Sequence, residues 1–155
     1  MTARAPSAGL KSRSNARSTG YSGTPLARKL GISQGDAVFL IGAPDNYRDL
    51  VDPLPDGVRF VRRLTPDTDI VHAFATRRVQ LEKAIAAARP KLKSDGVIWA
   101  SWPKKSSGVE TDITEDTIRE IALPMGLVDT KVCAVDEVWS GLKLVIRKEN
   151  RSQAK

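Results

Sequence analysis

Side chains able to do chemistry are few in this sequence, and they do not cluster. The chain holds one histidine, His72, and one cysteine, Cys133. His72 falls inside the apolar run Ile70-Val71-His72-Ala73-Phe74, with no second histidine, cysteine or carboxylate pair nearby. It reads as a core histidine satisfied by a hydrogen bond rather than a general base. Cys133 alternates with Val132 and Ala134 and reads as a small buried residue, because no neighbouring base stands ready to activate the thiol. Asp136-Glu137, beside Trp139-Ser140, pairs two carboxylates, yet the setting is that of a hairpin turn whose acids are solvated. No catalytic residue, metal site or cofactor follows from these positions.

The most suggestive segment is Trp102-Pro103-Lys104-Lys105-Ser106-Ser107-Gly108. It offers two ammonium groups, two hydroxyls and a glycine beside an indole, and leads to a helix start near Thr114 whose free N–H groups favour an anion. In open α/β sheets a ligand sits beyond the carboxyl ends of the parallel strands. That rule adds Gly42-Ala43-Pro44-Asp45, after the first strand, and Thr76, after the third. The candidate ligand-binding set is therefore Gly42, Pro44, Asp45, Thr76, Trp102, Lys104, Lys105, Ser106 and Ser107, and the chemistry is recognition of a small anion or of a protein partner's carboxylate.

The elements that must position these residues alternate. Thr24-Pro25 starts a short helix, Leu26–Leu30, that Gly31 closes. Ala37–Ile41 is a continuous apolar run suited to a strand covered on both faces, hence to a parallel sheet. Asp45 caps a helix to about Val51, ended by Pro53 and Pro55, and Val58–Val61 is a brief second strand. Asp69–Ala75 is the third. Thr76 caps a helix to about Arg89 with Leu81, Ile85 and Ala88 inward, and Val97–Trp102 is the fourth strand. Thr114, with Glu115 and Asp116, starts a helix that buries Ile118, Ile121 and Ala122 and stops at Pro124 and Gly126. Leu127–Val135 and Val138–Arg147 then form an antiparallel hairpin. Only about seven residues separate Val61 from Asp69, too few for a helical crossover, so Arg62–Thr68 must cross as an extended segment or the second strand lies off pattern.

Length and charge bound the rest. A chain of 155 residues suits one core, and its apolar fraction of 41% is ordinary for a globular domain. No run approaches the roughly 20 apolar residues of a membrane span, and the lone cysteine fits a reducing cytoplasm. The formal charge of +7 is concentrated at the ends. Arg4, Lys11, Arg13 and Arg17 face no acid in residues 1–20, Arg147, Lys148, Arg151 and Lys155 face only Glu149, and the stretch between is balanced. Residues 1–19 read as a disordered basic tail, 20–148 as the domain and 149–155 as a second disordered tail. Weak nucleic-acid contact through the tails is the partner such charge implies.

Alternation ending in a reversed hairpin defines an α/β fold with an open, mostly parallel Rossmann-like sheet and helices on both faces. Its layout resembles S-adenosylmethionine-dependent methyltransferases, and Leu92-Lys93-Ser94-Asp95-Gly96-Val97-Ile98 is similar to the turn entering their fifth strand. The wording of the chain from Gly20 to Lys148 resembles the bacterial family known as domain of unknown function 3052. Gly20-Tyr21-Ser22-Gly23-Thr24-Pro25-Leu26, Trp102-Pro103-Lys104-Lys105, Val132-Cys133-Ala134-Val135-Asp136 and Trp139-Ser140-Gly141-Leu142-Lys143 carry that resemblance. The methyltransferase likeness implies an Asp-x-Gly-x-Gly-x-Gly loop after the first strand, where this chain has Leu40-Ile41-Gly42-Ala43-Pro44-Asp45-Asn46. Only Gly42 matches. Pro44 lacks a donor and Asn46 carries a side chain where bare backbone is needed, and Arg62-Arg63 stands where an acid would hold the ribose.

The reading that follows is a non-catalytic module binding a small ligand or a protein on a Rossmann-like scaffold. A methyltransferase-like enzyme is the first alternative. A nucleic-acid accessory protein acting through its tails is the second.

Overall fold

A computed structural model describes residues 24–148. The two tails and the domain start at Gly20–Gly23 lie outside the described residues. In chain order the elements are α1 (Leu26–Lys29), β1 (Ala37–Ile41), α2 (Tyr47–Leu50), β2 (Arg59–Val61), β3 (Ile70–Phe74), α3 (Arg78–Ala88), β4 (Val97–Pro103), α4 (Glu115–Ala122), β5 (Leu127–Ala134) and β6 (Trp139–Ile146). The strands form one sheet in the order β2-β1-β3-β4-β6-β5. The first four are parallel, whereas β6 runs against β4 and β5 against β6.

Why the apolar runs become central strands is visible in their burial. Every residue of β3 is buried, as is every residue of β4 after Val97. Such strands must be covered twice. On one side Val71, Ala73, Ile98, Ala100 and Trp102 meet Leu81, Ile85 and Ala88 of α3 and Ile118, Ile121 and Ala122 of α4. On the other, Val38, Ile70, Phe74 and Trp99 meet Leu26, Ala27 and Leu30 of α1 and Tyr47 and Val51 around α2. The short α1 is held by more than apolar contact, since the Trp99 indole N–H donates to the Leu30 carbonyl at 2.9 Å.

The seven-residue problem between β2 and β3 is solved without a helix. Val38 is level with Phe60 on one side and with Ile70 on the other, so the chain must pass β1 to go from β2 to β3. It does so on the α3 and α4 side. Leu64 packs into that core, its carbonyl lies 3.4 Å from Lys91 Nζ, and a turn from Thr65 to Thr68 returns the chain to β3. Asp69 fixes the landing: one carboxylate oxygen accepts the Ala37 N–H at 2.8 Å and the other pairs with Lys93.

The starts of α2 and α3 differ from the sequence expectation. Asn46, not Asp45, precedes α2, because the Pro44 carbonyl accepts the Tyr47 N–H and closes a turn one residue later. Arg77, not Thr76, precedes α3, because Gln80 Oε1 accepts the N–H groups of both Thr76 and Arg77 at 3.2 Å and takes over the capping role. At α4, Thr114 is the cap, but its hydroxyl already accepts the Thr117 N–H and the first turn carries Glu115 and Asp116, both paired with Arg119. That helix end is occupied, not open to an anion.

Candidate functional site

Strand order reverses at β1, whose connections leave to β2 on one side and arrive at β3 on the other. The crevice between the carboxyl ends of β1 and β3 is therefore the topological switch point, where such sheets hold ligands. Gly42 opens this loop with φ +66 and lies against the end of β3. A Cβ placed on it would stand 2.7 Å from the Phe74 carbonyl oxygen. The glycine is demanded by this contact between the loop and the end of β3.

Aromatic side chains fill the space below. Tyr47 packs edge-on against Phe74 at 5.8 Å between ring centroids, and Phe74 meets Trp139 edge-on at 5.0 Å. Beneath them runs a buried polar chain. Tyr47 Oη lies 2.8 Å from His72 Nδ1, and His72 Nε2 lies 2.7 Å from Ser101 Oγ. His72 and Ser101 are fully buried and Tyr47 nearly so. A neutral imidazole has one donor and one acceptor nitrogen, so the hydroxyl protons must point the same way along the chain, whichever tautomer is present. Burial drives the His72 pKa down to about 3, and raises that of Tyr47, with the charge that Cys133 takes on when it ionises adding to the rise. The three groups are thus neutral and mutually satisfied. They tie together α2, β3 and β4, the elements that flank the mouth.

The loop after β4 is the exposed part of the rim. Lys105 and Ser106 are exposed, Lys104 and Ser107 half-buried, and Gly108 turns the chain with φ +77. Ser107 is spent on the loop itself: its hydroxyl donates to the Lys104 carbonyl at 2.6 Å and accepts the Val109 N–H at 3.1 Å. Neither lysine forms an ion pair among the described residues. Thr76 anchors the far end of the loop, its carbonyl accepting from the Thr111 hydroxyl at 2.7 Å and the Asp112 N–H at 3.4 Å. Asp112 in turn places a carboxylate oxygen 2.6 Å from the Arg78 N–H at the amino end of α3.

The structure thus brings Gly42, Thr76 and Lys104–Ser107 to one rim, with Pro44 half-buried and Asp45 exposed beside them. Trp102 is elsewhere: it belongs to the core on the α3 and α4 side. The indole residue at this end of the sheet is Trp139 of β6, level with Pro103 of β4, and the Lys104 N–H donates to the neighbouring Val138 carbonyl at 2.7 Å. Sequence reasoning missed Tyr47 and Ser101, and read Trp139 only as part of the hairpin turn. The signal for the first two was two polar residues, His72 and Ser101, at inward positions of apolar strands; the third needed the hairpin register. Among the described residues no group of three or more His, Cys, Asp or Glu is placed to hold a metal ion, and no helix is long and apolar enough to cross a membrane.

This sheet, with its switch point and reversed final hairpin, defines a protein of the Rossmann-like, methyltransferase-fold class. The solved structures it resembles agree. One, assigned as a type 11 methyltransferase from Sulfolobus solfataricus, superposes with a TM-score of 0.56 at 13% identity over 79% of this chain and 90% of that one. Another, a SAM-dependent methyltransferase from Aquifex aeolicus, gives 0.52 at 11% identity over 78% and 88%. Residues 65–148, more than half of the chain, match the family described as protein of unknown function (DUF3052), and the chain belongs to that family. No curated protein matches it.

Proposed function

We propose that this protein is a non-catalytic binding module that keeps a methyltransferase-like scaffold and uses its carboxyl rim to hold a small anionic ligand or an acidic partner group. The observation that carries the reading is the mouth between β1 and β3, where Gly42 abuts the Phe74 carbonyl and Tyr47, Phe74 and Trp139 fill the space below. A nucleoside needs bare backbone and an acid at this place. The chain instead supplies Pro44 and Asn46 after β1 and Arg62-Arg63 after β2. The cations of Lys104 and Lys105, without an ion pair among the described residues, are the groups that favour an anion.

Calorimetric titration with S-adenosylmethionine, and amide-shift titration with inorganic phosphate and acetate at about 1 mM and above, test the reading. The expected results are no heat with the first and shifts confined to residues 104–108 with the others. Saturable S-adenosylmethionine binding would replace it with a methyltransferase-like enzyme, the alternative that the fold neighbours favour. A rim that ignores every anion would remove the anion-binding claim.

A further inference from the structure

A groove of about 460 Å³ opens between α1 and the loop that leads into β2. Its residues precede β1 and β2 in the chain, so it lies by the amino ends of these strands, away from the carboxyl rim. Pro25, Ile32, Pro53, Leu54 and Pro55 give it an apolar lining, and Arg28 stands on the α1 wall. The loop wall is bracketed in sequence by Asp52 and Asp56, both exposed and without an ion pair among the described residues. An apolar groove with an arginine on one wall suits an aromatic ring, which gains burial from the first and cation–π attraction from the second. The two carboxylates suit a cation carried next to that ring.

We infer that this groove is the seat of the chain's own amino-terminal arm, with the Tyr21 ring on the apolar lining and Arg17 at Asp52 and Asp56. The described chain begins at Thr24, so the arm departs from the groove's own wall at Pro25. Four residues separate Pro25 from Tyr21, a reach of about 14 Å at full extension, which lets the ring fold back across the lining. Tyr21 is the one aromatic residue in 1–23, and Gly20 and Gly23 to either side of it permit the reversal of the backbone. Arg17 stands four residues further out, and residues 1–20 carry Arg4, Lys11, Arg13 and Arg17 with no acid, the complement of the exposed Asp52 and Asp56. A second copy or a separate partner would have to displace a segment already anchored at the groove's edge.

The test uses the full chain in solution, with isotope-labelled Ile and Leu methyl groups, and nuclear Overhauser contacts from the Tyr21 ring. Contacts to the Ile32 and Leu54 methyls are expected, and their absence would overturn the assignment. Tyr21→Ala should move the amide resonances of Arg28, Ile32, Ser33 and Leu54, leave residues 104–108 as in the parent, and lower the unfolding temperature by a few degrees. Tyr21→Phe, which keeps the ring, should restore both. Shifts confined to the immediate neighbours of residue 21 would overturn the inference. Asp52→Asn/Asp56→Asn should carry the groove resonances part of the way toward those of Tyr21→Ala, and added salt should do the same to the parent. Resonances that ignore both would overturn the contact with Arg17. Equal amounts of labelled and unlabelled chain decide whose arm it is: ring-to-methyl contacts between different molecules would overturn the seating of each arm on its own groove in favour of exchange between two copies.

Discussion

Acid should weaken this protein through His72 from about pH 6.5 downward. The imidazole is fully buried between the Tyr47 and Ser101 hydroxyls and stacked on Phe74 at 4.3 Å, and burial holds its pKa at about 3 against 6.5 when exposed. The folded state therefore takes up a proton only near pH 3, whereas the unfolded chain takes it up near pH 6.5. Between those values the unfolded state binds more protons, so stability falls as pH falls, by about 1.4 kcal/mol per pH unit. From pH 7.5 to pH 4.5 the loss from His72 alone comes to about 2.5 kcal/mol. Asp69 cannot mimic this. Burial would raise its pKa, but the hydrogen bonds from Lys93 and Ala37 and the charges of Lys93 and Arg59 hold it below 3.8, so its contribution fades only at lower pH. His72→Phe separates the terms. At pH 7.5 the variant strands the Tyr47 and Ser101 hydroxyls and should lose about 2–6 kcal/mol, since each buried unsatisfied group costs about 1–3. At pH 4.5 the gap to the parent should shrink by about 2.5 kcal/mol. Urea unfolding followed by tryptophan fluorescence at the two pH values measures both. A gap independent of pH would refute the reasoning, because it would mean that His72 titrates alike in the folded and unfolded chain.

Gly42→Ala should lower stability by about 2 kcal/mol or more, read as a fall in unfolding temperature, because it combines a left-handed backbone with a Cβ 2.7 Å from the Phe74 oxygen. Asp69→Asn keeps an acceptor for the Ala37 N–H and loses only the partly exposed pair with Lys93, so denaturant unfolding should show a loss below about 1 kcal/mol, and Asp69→Ala a larger one. Cys133, buried and with its pKa raised by that burial against the pull of Lys29 and Lys131, should react slowly with a thiol reagent at pH 7.5 and rapidly once urea unfolds the chain.

The central strands were legible because each is a closed apolar run bounded by turn residues, and the final hairpin because Asp136-Glu137 separates two long β segments. The absence of a helix between Val61 and Asp69 was legible too, since chain length forbids one there, but the turn at Thr65–Thr68 and the shortness of β2 were not. What escaped was set by partners distant in sequence. Gln80 displaced Thr76 as the capping group by reaching back three and four residues, a choice that side-chain length permits but no pattern announces. Trp102 turned to the α3 and α4 core because one step along β4 reverses the face, and the parity of a fully apolar strand is hidden until its neighbours are known. Tyr47 found His72 only through the packing of a four-residue helix on the sheet.

The Asp112 carboxylate, seated on the Arg78 N–H, gives the amino end of α3 a counter-ion of its own. A resident group tethered by a short loop acts at an effective concentration of the order of millimolar. Any free anion drifting to that helix end must outcompete an occupant that never diffuses away, so the anion site proposed for the rim rests on Lys104 and Lys105 and not on the start of α3.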